Sequence, residues 1–215
     1  MLDGYETEQE QIEALRKWWN ENGKALIIGV VVGLGGLFGY RGWLGHVTAQ
    51  AEVAADLHAG VLVALERAQP ATVITESARL RDEYGSTPYA ALATLAEARA
   101  RLDAGDTQAA QTSLEWVVAQ AGQEEVVAVA RLRLARVLID QGDIPAAQGQ
   151  LDSLPGELFK AQVAEIRGDL LRDQGQAEAA RTAYREALAT GSENRAIVQM
   201  KLDDLGLELA GETGR

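Results

Sequence analysis

Hydrophobic positions follow two patterns along this chain: one unbroken apolar run near the N-terminus, then a long alanine- and leucine-rich stretch with helical spacing and no period-2 alternation. The run Ala25 to Tyr40, ALIIGVVVGLGGLFGY, has no charged side chain and lies between Lys24 and Arg41. A helix over these residues reaches about 24 Å, short of a hydrocarbon core of about 30 Å. Continuing it through Gly42, Trp43 and Leu44 makes up the difference, because Arg41 near the end can extend to the headgroups. The large apolar residues of the run contribute roughly −4 kcal/mol towards insertion, which outweighs an arginine at the edge. A transmembrane helix over 25–44 is therefore expected. Two alternatives stand beside it. A buried core helix would need an apolar partner that the rest of the chain does not supply. A cleaved signal peptide is suggested by Ala49-Gln50-Ala51 and opposed by the long, mostly acidic region before the run.

Lysine and arginine set the expected orientation. Arg16, Lys17 and Lys24 precede the span and only Arg41 follows it closely, so the N-terminus is expected in the cytoplasm and the chain after residue 45 across the membrane. Within the span, Gly29/Gly33 and Gly35/Gly39 have GxxxG spacing, which either admits a second helix at close range or reflects the ordinary abundance of glycine in membrane helices.

Before the span, Thr7-Glu8-Gln9-Glu10 has the form of a capping box, and Ile12, Leu15, Trp18 and Trp19 recur on one helical face. This predicts a short amphipathic helix at the cytoplasmic surface, broken or bent at Asn22-Gly23; a tail without structure is the alternative. After the span a helix is expected to run from 46 to Pro70, another over 71–84 stopped by Gly85, and a third opened by Thr87-Pro88.

From there the chain repeats itself. The pattern D-x-G-x-x-x-A-A occurs at Asp103, Asp140 and Asp173, with glycines Gly105, Gly142 and Gly175 spaced 37 and 33 residues apart. A period of about 34 residues is that of a tetratricopeptide repeat. Seven residues before each glycine stands a small residue (Ala98, Ala135, Gly168), and nine after it a large one (Leu114, Leu151, Tyr184). The glycine is expected to end the first helix of each unit in a left-handed turn, with the small residues allowing close packing against the second. Val117 and Leu154 replace the alanine that the third unit has at Ala187. Residues 71–90 look like the second helix of a weaker unit, and 194–209 like a closing helix.

Charge and composition narrow the function. Beyond residue 46 there are 16 Lys+Arg (20 minus 4) and 26 Asp+Glu (32 minus 6), a net charge of −10 that disfavours nucleic acid and anionic headgroups. No cysteine is present, so disulfides and thiol chemistry are excluded. His46 and His58 lie about 18 Å apart on a continuous helix, too far for one metal. No cofactor, metal or catalytic residue is expected.

Binding is better supported. In the repeat register the first helices line an inner groove, with Leu92, Leu95, Arg99 and Leu102 from one unit and Val129, Leu132, Arg133, Arg136 and Ile139 from the next. An apolar strip with three arginines in an acidic domain suits a partner segment that is apolar and carries a carboxylate. Alternatively, the arginines are solvated and paired with Asp103 and Asp140. The third unit turns acidic at Glu165, Asp169 and Asp173.

The amphipathic start, Glu21-Asn22-Gly23-Lys24-Ala25-Leu26 leading into a glycine-rich span, and the repeats behind it resemble the YfgM family over nearly the full chain. The resemblance implies an all-α protein with a single N-terminal transmembrane helix followed by a tetratricopeptide-like α-solenoid. It further implies anchorage in the inner membrane of Gram-negative bacteria, a periplasmic repeat domain, and an ancillary role at the Sec translocon with the periplasmic chaperone PpiD. The expected division is a cytoplasmic segment (1–24), the transmembrane helix (25–44), a helical connector (45–70), the repeat domain (71–210) and a tail (211–215). A structural scaffold subunit of another envelope assembly is the alternative.

Overall fold

The computed structural model describes residues 3–154 and 159–213, and among them it holds nine α-helices and no strand. They are α1 (Asp3–Glu66), α2 (Pro70–Tyr84), α3 (Pro88–Asp103), α4 (Thr107–Gln120), α5 (Glu124–Asp140), α6 (Ile144–Asp152), α7 (Lys160–Asp173), α8 (Ala177–Ala189) and α9 (Arg195–Thr213). The chain divides into two units, Met1–Glu52 and Val53–Arg215.

In the first unit every residue from Lys24 to Ala49 is exposed, with Ile28, Val32 and Phe38 at 63%, 68% and 68%. A helix apolar on all sides that no other element covers is not a buried core helix. By length and composition α1 can cross a membrane. The break expected at Asn22-Gly23 does not occur, since α1 runs through both residues. Asn22 Nδ2 donates to the Trp18 carbonyl one turn back (3.1 Å), and the Trp19 ring covers Gly23, where an added Cβ would come within 3.2 Å of it. A helical glycine costs about 1 kcal/mol and does not by itself stop a helix. Thr7 is likewise not a cap, because the backbone is already helical from Asp3. Ala49-Gln50-Ala51 also lies inside α1.

The second unit is built of helix pairs. Pro70 does not terminate α1, which ends at Glu66; it occupies the first turn of α2, where a missing N–H costs nothing. Thr87 stands at the N-cap of α3 as expected, but its hydroxyl donates back to the Tyr84 carbonyl (2.8 Å) and caps nothing. Each of Gly105, Gly142 and Gly175 sits in the left-handed region (φ 79°, 81° and 73°) just after the first helix of its unit. The next backbone N–H then returns to the last turn: Asp106 to the Arg101 carbonyl, Asp143 to Leu138 and Gln176 to Leu171, at 2.8, 2.8 and 2.9 Å. Asp106 and Asp143 in turn cap the second helices, accepting from the Ala109 and Ala146 amides at 3.2 Å.

Behind these turns Ala110, Ala147 and Ala180 are fully buried, and Leu114, Leu151 and Tyr184 fill the space between units at 2% exposure or less. Gly168 is required by that filling, because a Cβ there would lie 2.5 Å from the Tyr184 ring. The last turns of α1 join the same arrangement: Ala54, Val61 and Ala64 pack with Val73 and Leu80 of α2 and with Ala90 and Ala93 of α3. The closing helix α9 buries Val198 and Leu205 against Ala180, Tyr184 and Ala187. It continues past the expected boundary at residue 210 to Thr213, and 214–215 of the expected tail lie outside the described residues.

The α1–α2 turn repeats the glycine turn without glycine. Ala68 has φ 51°, and the Gln69 amide donates to the Ala64 carbonyl at 2.9 Å, the same return bond as in the later units. An alanine there stores roughly 1 kcal/mol that glycine would not. Ala68→Gly is expected to raise unfolding stability by about 0.5 to 1 kcal/mol in denaturant titration, and Gly105→Ala to lower it by a similar amount. A loss on Ala68→Gly would contradict the turn geometry.

Candidate partner-binding face

The first helices α3, α5 and α7 touch one another in succession, so their outward residues form one continuous face. The apolar residues expected along it are largely spent on the core. Leu95, Leu132 and Ile139 are buried at 7%, 6% and 9% and belong to the central cluster with Leu114, Leu134 and Ile166. Leu102 and Val129 pack against the same cluster, and Leu92 is half-buried. What reaches solvent is polar: Arg99, Arg133 and Arg136 are all exposed.

These three arginines differ in their partners. Arg99 is held by Asp103, its Nε lying 3.0 Å from both carboxylate oxygens, so the in-chain pairing considered from the sequence applies to it. Arg133 turns one N–H inwards to the Leu95 carbonyl at 3.4 Å. Its pKa is lowered by burial and then by the neighbouring charges of Arg99 and Arg136, so like charges crowd at this point. Arg136 borders a cleft of about 210 Å³ between α5, α7 and α9, which Ile139, Asp140, Asp169, Arg172, Asp173 and Lys201 also line.

The acidic part of the face is settled within the chain. Lys201, carried by α9, donates to Glu165 at 3.0 Å and to Asp169 at 2.8 Å, and Arg172 pairs with Asp173 at 2.9 Å. The Tyr184 hydroxyl donates to Asp169 at 2.7 Å; burial, then this bond, raises its pKa and keeps it a neutral donor. Glu165 is 4% exposed. The acidity of the third unit is thus structural, held by a residue more than thirty positions away.

A second buried carboxylate was not foreseen. Glu97 on α3 is 1% exposed and binds Arg81 of α2 and Arg101 of its own helix, the latter at 2.7 Å, with the Ser113 hydroxyl at 3.4 Å. Arg81 also lies over the Trp116 ring, 5.8 Å from its centroid. A glutamate followed by arginines two and four residues on, in an alanine-rich helix, was the available signal.

On α1 the glycines Gly29, Gly33, Gly35 and Gly39 meet nothing: an added Cβ at any of them would have no neighbour within 4 Å. No contact among the described residues requires them. His58 stacks obliquely on Tyr89 (5.8 Å between ring centres), and burial lowers its pKa, while His46 is exposed. Among the described residues no group of three metal-ligating side chains comes together.

The Lys201 network makes a quantitative expectation. Lys201→Met removes the only cation holding Glu165 and Asp169 among the described residues, and stranding a buried carboxylate costs about 3 kcal/mol. Thermal unfolding followed by helical circular dichroism should fall by about 6 to 12 °C. Arg136→Ala should stay within about 0.5 kcal/mol of the parent, as exposed charges do.

Comparison with known proteins places this architecture. A family profile described as a tetratricopeptide repeat-like domain matches residues 16–207. The chain is similar to the ancillary SecYEG translocon subunit of Escherichia coli K12, with 34% identity over 96% of this chain and 100% of that protein. It is also similar to proteins of the same name from Haemophilus influenzae, at 32% identity over 92% and 97%, and from Neisseria gonorrhoeae, at 29% over the same shares.

Proposed function

The chain belongs to the YfgM family of ancillary SecYEG translocon subunits, and from that premise we propose that it is a membrane-tethered interaction module of the Sec machinery without catalytic chemistry of its own. In this reading α1 crosses the bacterial inner membrane once, with the N-terminus in the cytoplasm and the repeats in the periplasm, as the lysine and arginine asymmetry favours. The repeat domain then meets segments that emerge from the translocon, together with a periplasmic chaperone such as PpiD. Tethering keeps a weak binding face at high local concentration beside the exit, so modest affinity suffices.

The observation that carries the proposal is the joining of two features in one full-length match: an apolar α1 that the chain leaves exposed, and a stack of helix pairs with a continuous first-helix face. Affinity-tagged chain purified from gently solubilised membranes is expected to bring SecYEG with it. Recovery of a different envelope assembly, with SecYEG at background level, would favour the scaffold alternative and overturn the proposal.

A further inference from the structure

The arginines of the repeat domain are paired in most places. Arg79, Arg81, Arg99, Arg101, Arg167, Arg172 and Arg181 each have a carboxylate within 4.0 Å. Arg133 and Arg136, like Arg67, Arg131, Arg185 and Arg195, have none among the described residues, in a domain that carries a net charge of −10. They stand one helical turn apart on α5, and Arg99 of α3 is close enough to depress Arg133 further. Arg133 and Arg136 are like charges without a carboxylate partner, whereas Arg99 beside them is held by Asp103. On the neighbouring helix α7, Lys201 and Arg172 pair with Glu165, Asp169 and Asp173. Arg133 and Arg136 are therefore open to an external anion on the outer side of α5, whereas the cleft of about 210 Å³ beside Arg136 is itself lined by Asp140, Asp169 and Asp173 with Arg172 and Lys201.

We propose that Arg133 and Arg136 seat an extended protein segment bearing acidic side chains, with one of its carboxylates meeting Arg136 at the rim of the α5–α7 cleft. The proposal rests on the interaction-module reading and specifies its ligand. Two guanidinium forks one turn apart on α5 offer separate bidentate sites, which suits several side-chain carboxylates better than one chain terminus. Because Leu95, Leu132 and Ile139 are buried in the core, charge and not an apolar strip selects the segment. The surrounding negative domain repels the rest of an acidic chain, so binding depends on register and weakens with salt.

The test uses the full chain in non-ionic detergent micelles and a fluorescein-labelled, C-terminally amidated peptide of alternating glutamate and serine, followed by anisotropy at low and high salt. The parent is expected to bind this peptide and not its lysine counterpart. R133E/R136E should weaken binding by about tenfold or more, R133Q/R136Q by less, and R185E on α8 should leave it unchanged. The helical unfolding curve of each variant reports folding independently. No binding by the parent, equal binding by R133E/R136E and parent, or binding only of a neutral peptide with a free C-terminus would overturn the proposal. Copurification of SecYEG with R133E/R136E is scored separately: its persistence leaves the translocon reading standing, while anisotropy alone decides the ligand.

Discussion

Close approach of the two helices in each repeat is the constraint on which the rest of the domain depends. It needs a chain reversal that wastes no residue and a contact that leaves no room for a side chain. The first is met by the left-handed residues Gly105, Gly142 and Gly175, whose return hydrogen bonds satisfy the carbonyls at the helix end. The second is met by Ala110, Ala147 and Ala180, each fully buried. Where a larger group enters the contact, another gives way, as Gly168 does beneath Tyr184. With the pair geometry fixed, the first helices stack on one another and their outward residues fall into a single face. The site is a consequence of the turn.

Two treatments of charge on that face separate structure from function. Glu97 and Glu165 are buried, and each is held by cations from another helix, Arg81 in one case and Lys201 in the other. Such networks tie neighbouring pairs together and are costly to break, because removing one partner strands the other. Arg133 and Arg136 receive no such partner, and Arg133 gains repulsion from Arg99 and Arg136. Exposed arginines cost the fold little, so they can be kept for a ligand.

The repeat domain was legible wherever its physics is local. A glycine needed for a left-handed turn, a small residue needed for a close contact and a large one needed to fill a gap leave marks at fixed spacing, and all three recur around Gly105, Gly142 and Gly175. The α1–α2 turn escaped because Ala68 adopts the same conformation without the residue type that announces it. Asn22-Gly23 misled in the other direction: the two residues favour a break in isolation, but the Trp18 carbonyl and the Trp19 ring hold them in the helix. Long-range pairing was invisible. Nothing about Lys201 points to Glu165 until α9 folds over α7, and the periodicity that put Leu95, Leu132 and Ile139 on the inner face could not say that the core would bury them.

The account turns on the first-helix face being where partners bind, and site-specific photo-crosslinking in living cells addresses it directly. A photoreactive residue at position 136 should capture SecYEG or a periplasmic protein travelling with it, and one at position 185 on the second-helix side should capture neither. Capture from 185 with none from 136, or capture only from positions 29 and 33 of α1, would contradict it and move recognition away from this face.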